Sequence, residues 1–296
     1  MVFENFSDRD GSIWFNGRLV PWRDANSHIM NQGLHYGMAV FEGERTYGGR
    51  IFRLTEHSMR LAASARAMGY EIPYSTGEIE MATMQAIKAA DLQEGYVRAF
   101  AWPGSRYMDL LPRDNEVNLA IAVWSVQAGP DAKAKAKGLR LKVSAARRPN
   151  DSALPGTAKS AASWAIGSIS RGAAVKAGYD DALMLDCDGH IAGTTGANIF
   201  FVIDGTVHTP KPNAFFAGIT RRTVIQLFRQ RQIDVYERFI DLAELDQVQE
   251  AFITGTATEV TPVTSIESRR MAVGNFCRIA MQDYYDLARS SGELIT

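Results

Sequence analysis

Residues 139–164 read LRLKVSAARRPNDSALPGTAKSAASW. Segment 139–146 reads as a strand, the run RRPNDSALPGTAK is a Pro/Gly-rich loop, and a helix is predicted over about 160–177 with Gly178 placed to cap it. Lys159 stands where loop becomes helix, among the small side chains of Thr157-Ala158-Lys159-Ser160-Ala161-Ala162. The positive end of a helix lowers an amine's pKa, and a neutral amine is what Schiff-base chemistry requires. Judged by its immediate neighbours alone, the same lysine reads first as a solvated surface residue.

Downstream, strands are predicted at 181–186, 190–193 and 197–203, with turns at Asp188-Gly189 and Asp204-Gly205. Ala217-Gly218-Ile219-Thr220 opens a helix over about 219–231, whose first amides have no intrahelical acceptor and suit a phosphate. A strand at 251–255 runs into a second small hydroxyl loop, Gly255-Thr256-Ala257-Thr258. Taken alone, either loop reads first as a simple cap. Upstream, SIWFNGRLVPWR at 12–23 reads as a hairpin around Asn16-Gly17. Leu54, Met59, Leu61, Ala62, Ala65 and Met68 give near-helical spacing ending at Gly69, a second helix follows over 76–90, and 96–102 and 117–124 read as buried strands. The segment 128–138, AGPDAKAKAKG, lacks bulky apolar residues and divides a domain at 1–127 from one at 139–296. Helices and antiparallel strands in both halves point to an α+β (mixed α/β) fold and away from a doubly wound sheet.

A chain of 296 residues suits about two domains and a real core. With 46% hydrophobic and 22% charged residues and a net charge of −1, it is neither disordered nor built for a polyanion. The densest basic stretch, Lys133 to Lys142, has no aromatic residue for base stacking, so nucleic acid is not expected as a partner. Cys187 and Cys277 form no CxxC pair, which supports neither a disulfide framework nor a zinc site and fits a reducing cytoplasm. No stretch approaches the apolar length of a membrane span. No metal site is expected, and GxGxxG, P-loop, HExxH and GxSxG motifs are missing. His35-Tyr36 is open to two readings, a proton relay or a hydrogen-bonded structural histidine.

Eight segments in order carry a resemblance: IWFNGRLVPW, LHYGMAVFEGER, FRLTEHSMRL, GYVRAF, the Lys159 loop, GANIFFVIDGTVHTP, AGITRR and ITGTATEVTPV. From about residue 12 to 285 the chain resembles the branched-chain aminotransferases, the class IV aminotransferases of fold-type IV. That resemblance implies a two-domain fold and pyridoxal 5′-phosphate (PLP) as cofactor. It implies that Lys159 forms the Schiff base and moves a proton between the substrate Cα and the cofactor. Arg60, Ile219, Thr220 and Thr256 are implied to bind the phosphate, with Trp164, Gly193, Thr194 and Phe216 also against the cofactor. Tyr36, Phe41, Tyr96, Arg98, Ala257 and Thr258 are implied to line the substrate side, Tyr and Arg orienting a carboxylate. A homodimer is implied, the segment around Tyr36 serving the neighbouring subunit, with a hydrophobic or branched-chain-like amino acid and a 2-oxo acid as substrates.

Three places depart from the family pattern. Gly193 stands where the family has a glutamate paired with the pyridine nitrogen, the group that keeps the ring an electron sink. Trp164 stands where a tyrosine usually reaches the cofactor's O3′, and Ser125-Val126-Gln127-Ala128 replaces aromatic residues of the substrate wall. Asp186 and Asp188 are near in sequence, but Asp188-Gly189 reads as an exposed turn and a carboxylate five residues along a strand is too distant at about 3.3 Å per residue, whereas Thr194 or Thr195 offers a hydroxyl. Three activities follow: amino transfer; a lyase, racemase or specialised biosynthetic reaction that tolerates a neutral ring; or a cofactor-free relative.

Overall fold

The structure is a computed structural model that describes residues 5–112, 115–126, 137–212 and 215–295. The chain forms two compact units, Met1–Gln127 with Ala158–Ala162 and Ser291–Thr296, and Ala128–Thr157 with Ser163–Ser290. Most of the segment read as a linker, 128–136, lies outside the described residues.

Among the described residues the first unit is an eight-stranded sheet with two long helices. Its strands run in the order Glu293–Leu294, Arg50–Ile51, Glu44–Tyr47, Gly95–Pro103, Val117–Ser125, Ser12–Phe15 and Arg18–Pro21, and Val40–Phe41 also pairs with Gly95–Pro103. The expected hairpin is there, with Phe15 opposite Arg18. From Gly95 to Ala101 the period of two divides the residues. Val97, Ala99 and Ala101 enter a core with Leu61, Ala65, Ile79 and Ile87, while Tyr96, Arg98 and Phe100 are half-buried. The core helices are Leu54–Ala67 and Thr76–Ala90. The second starts on a reciprocal capping box between Ser75 and Glu78 and stops where Asp91 turns left-handed at φ 50°. Each fully buried Leu or Ile of this core contributes about 1.5–3 kcal/mol of transfer free energy.

The second unit is a nine-stranded mixed sheet in the order Ile191–Thr194, Asp181–Leu185, Leu139–Arg147, Glu259–Ile266, Val248–Gly255, Asn198–Ile203, Thr206–Pro210 and Val235–Arg238, with Arg269–Arg270 added beside Glu259–Ile266. Leu139–Arg147 is parallel to both its neighbours, and most other pairs are antiparallel. This is the expected α+β architecture. The helices are Ala161–Lys176, Ile219–Gln230 and Asn275–Ser290. Phe200 stacks on Phe252 at 5.0 Å between ring centroids, and Phe228, on the second of those helices, packs at 6.2 Å from Phe252. Hence that helix is held to the sheet by a large apolar anchor.

Candidate active site

Tyr36, Phe41, Arg60, Tyr96, Arg98 and Lys159 belong to the first unit. Among the described residues Lys159 is the only buried lysine, at 7% exposure. Its amide donates to Ser64 Oγ at 3.1 Å, and its carbonyl accepts from the Phe41 amide at 3.0 Å. Ala161 N donates to Ala39 O at 2.7 Å, so the short segment around Lys159 lies along residues 37–41 like an added strand. The Lys159 Nζ sits 5.1 Å from the centre of the Phe41 ring. The surface reading of this lysine is therefore set aside.

Beside it is a buried charge network. Glu42, with no exposed surface, accepts from Arg60 Nε at 2.6 Å and Arg60 Nη2 at 2.7 Å, and from His57 Nδ1 at 2.7 Å. Because the carboxylate is acceptor-only, Nδ1 is the protonated nitrogen of His57. Burial acts to raise the Glu42 pKa, but the charges and hydrogen bonds of Arg60 and His57 overcome it and hold the carboxyl well below its ordinary range. Burial lowers the His57 pKa, with the Arg60 and Lys159 charges adding to it and Glu42 opposing. The guanidinium that the family resemblance assigns to phosphate thus has two of its nitrogens committed to Glu42, which fixes its plane.

Tyr96 and Arg98 leave the same face of their strand, as i and i+2. The Arg98 guanidinium carbon lies 4.7 Å from the Phe41 ring centre and 5.6 Å from that of Tyr96. Burial raises the Tyr96 pKa, with Arg98 pulling the other way, so the phenol stays neutral. Gly43 makes room for it: a Cβ there would collide with the Tyr96 hydroxyl. Tyr36 stands apart, 40% exposed at the end of the short helix Gln32–His35. His35 Nε2 is spent on the Ile29 carbonyl at 3.1 Å, which favours the structural reading of that histidine.

The remaining predicted residues belong to the second unit. Ile219 and Thr220 open their helix at 3% and 4% exposure, after Gly218, whose side-chain-free cap leaves the first amides without a side-chain partner. Asn198 positions that turn, its Nδ2 donating to Phe216 O at 3.2 Å and its Oδ1 accepting from Gly218 N at 3.1 Å. Thr256 and Thr258 are half-buried and Ala257 exposed in the turn joining Val248–Gly255 to Glu259–Ile266. The hydroxyls of Thr254 and Thr258 are buried with no hydrogen-bond partner among the described residues, a cost of about 1–3 kcal/mol each that a polar ligand would relieve. Trp164 stacks against Phe216 with ring centres 6.3 Å apart and planes at 26°.

At Gly193 the chain has φ +120°, and the register slips between Ile191 and Gly193. Of the two hydroxyls weighed as substitutes for an acid, Thr195 Oγ1 donates to Asp181 at 2.6 Å, and Thr194 Oγ1 reaches only the Ala197 carbonyl at 3.5 Å. Asp186 is occupied by the amides of Asp188 and His190 at 3.0 and 2.8 Å. Sequence inspection passed over Glu42, His57, Ser64 and Arg148. His57 and Arg60 lie three apart on one helix, a spacing that puts both on one face and was the available signal for the first pair.

A family model, Amino-transferase class IV, matches residues 39–266. The chain is 37% identical over 296 residues to the branched-chain-amino-acid aminotransferase of Pseudomonas aeruginosa, covering 98% of this chain and 96% of that one. The crystal structure of the T.th. branched-chain amino acid aminotransferase with pyridoxamine 5′-phosphate is similar with a TM-score of 0.92 and 33% identity, over 95% of each chain. The Escherichia coli branched-chain amino acid aminotransferase structure is similar with a TM-score of 0.91 and 31% identity, over 96% of this chain and 97% of that one.

Proposed function

The chain belongs to the class IV aminotransferases and has their fold-type IV architecture, and on that premise we propose that it transfers an amino group between a branched-chain or similarly hydrophobic amino acid and a 2-oxo acid, using PLP. The observation that carries this reading is the buried, backbone-pinned Lys159 in a chain so similar to branched-chain aminotransferases along nearly its whole length. The residues present fit the cofactor: a buried primary amine, a helix start with uncapped amides, and hydroxyls awaiting a partner. When bound, PLP supplies a carbon that accepts an amine and a ring that withdraws electrons.

The protein's own groups do the rest. Lys159 Nζ would hold the cofactor covalently and, once displaced by the incoming substrate amine, would take and return the proton at the substrate Cα as general base and acid. Arg60, with its plane fixed by Glu42, binds phosphate together with the Ile219 and Thr220 amides and the Thr256 hydroxyl. Trp164, Gly193, Thr194 and Phe216 would lie against the cofactor. Arg98 and the neutral Tyr96 orient the substrate carboxylate, and Phe41, Tyr36, Ala257 and Thr258 border its side chain.

The functional unit is a homodimer. Ile29, Leu34 and Leu110 are 71%, 69% and 73% exposed, and Gln32 Nε2, donating to Leu111 O at 3.1 Å, ties the two apolar segments together. So large an apolar face suits a second copy of the chain. No helix among the described residues is long and apolar enough to cross a membrane, and the two cysteines are unpaired, which supports a reducing cytoplasm.

Purified protein incubated with PLP, leucine, isoleucine or valine and 2-oxoglutarate is expected to form glutamate in proportion to the branched-chain 2-oxo acid. Failure to convert PLP to pyridoxamine phosphate with any of the three amino acids refutes the assignment.

A further inference from the structure

The wall around Gly193 is aromatic and cationic. A Cβ built on Gly193 would lie 2.7 Å from the Ala197 carbonyl oxygen and 3.7 Å from Phe215 Cδ1, and the φ of +120° already disfavours any side chain. A carboxylate at this position therefore demands a different backbone. Phe215 packs on Phe216 at 4.3 Å between centroids, and the guanidinium carbon of Arg148 lies 3.8 Å from the Phe215 ring centre. Arg148 is 1% exposed, and its Nη2 donates to the carbonyls of Thr194 and Thr195 at 2.7 and 3.0 Å. Burial lowers its pKa, opposed by the Asp181 charge, but only to about 10, so it is a cation at neutral pH.

The nearby acids carry hydrogen bonds of their own, and Asp181 also offsets part of the Arg148 charge. Asp181 accepts from Thr195 Oγ1 and, at 2.8 Å, from Ala182 N, while Asp186 serves the turn at residues 186–190. One face of the loop carrying residues 193–195 thus rests on a buried positive charge, with no carboxylate at 193 to set against it.

Resting on the assignment of this chain as a PLP enzyme, we propose that it holds the cofactor's pyridine nitrogen unprotonated: Gly193 excludes the pairing acid, and Arg148 is a positioning residue that fixes the 194–195 backbone and biases the ring against a second positive charge. A protonated ring needs a nearby anion or at least a neutral acceptor, and a fixed cation opposes it. Amino transfer then proceeds with a weaker electron sink, and more of the work falls on proton transfer at the substrate Cα.

The test is nitrogen NMR of the protein loaded with PLP labelled with ¹⁵N in the ring. The expected resonance is that of a free pyridine nitrogen, unchanged across neutral pH. A pyridinium resonance in the loaded protein overturns the proposal while leaving the PLP assignment intact. A protein that gains no visible colour with PLP and no borohydride-stable adduct on Lys159 fails the assignment itself, and the proposal with it. Because Arg148→Met risks misfolding, the second measurement uses the 1-deaza analogue of PLP, in which a carbon replaces the ring nitrogen. Binding as tight as PLP, followed by quenching of tryptophan fluorescence, supports the proposal, and a tenfold or greater loss, about 1.4 kcal/mol, contradicts it.

Discussion

Replacing Glu42 with alanine tests the buried network that orients Arg60. The substitution removes three charge-assisted hydrogen bonds, two from Arg60 at 2.6 and 2.7 Å and one from His57 at 2.7 Å, and leaves a guanidinium that is only 14% exposed without its counter-ion. Breaking a buried pair from one side costs about 3–5 kcal/mol, because the surviving charge stays desolvated. With a urea slope of about 2–3 kcal/mol/M, the unfolding midpoint should fall by about 1–2.5 M. Glu42→Gln keeps the volume but turns one acceptor into a donor facing donors, and its midpoint should lie between the two. The pH dependence has a definite sign. Glu42's pKa is depressed on folding, so its stabilisation is present above the ordinary carboxyl pKa of about 4.3 and is lost as pH falls toward the folded value. Wild type should therefore lose stability in acid more steeply than Glu42→Ala. A midpoint shift below about 0.3 M, under 1 kcal/mol, refutes the reasoning, since it would mean that Arg60 and His57 do not depend on this carboxylate.

Glu44, 1% exposed, has a pKa raised well above normal by burial and then by the Glu42 charge, so its stability contribution falls as pH rises from its ordinary pKa toward the folded one; Glu44→Gln should stabilise the protein at pH 8 relative to wild type and much less at pH 4, read by urea unfolding. Gly193→Ala should cost at least about 1–3 kcal/mol from the positive φ alone, measured as a lower melting temperature, and a neutral result would mean the loop relaxes freely. Arg148→Lys keeps the charge but loses the placement of Nη2 between two carbonyls and the stacking on Phe215, and should lower stability by about 1.5–3 kcal/mol, with unchanged thermal unfolding as the contrary result.

Much of the fold could be read from the chain because its signals are local. Asn16-Gly17, the helix over 76–90 and the apolar strand run at 96–102 each announce themselves within a few residues. What escaped was built by distant partners. Val40–Phe41 and Glu44–Tyr47 carry or flank Glu42, Glu44 and Arg45, which look like loop residues until helix Leu54–Ala67 brings Arg60 and His57 to Glu42 and Glu94 comes to Arg45. Helix Asn275–Ser290 buries Cys277, Ala280, Tyr284 and Ala288, a stripe of small and amphipathic residues that a search for Leu and Ile periodicity misses. Glu259–Ile266 holds Pro262, which argues against a strand, yet it pairs opposite Phe252. Lys159 is the sharpest case among the site residues: its small neighbours suggested exposure, and its burial comes from Ser64 and Phe41, far away in sequence. Arg148 hid in the same way, as one half of a basic pair in a loop.

The central claim is that Lys159 is the cofactor's covalent partner. Incubation with PLP, reduction with borohydride and mass analysis of the peptides should place the phosphopyridoxyl group on Lys159, and Lys159→Ala should abolish the adduct while the protein remains folded. A stable adduct on another lysine, or none on the intact protein, would contradict the account.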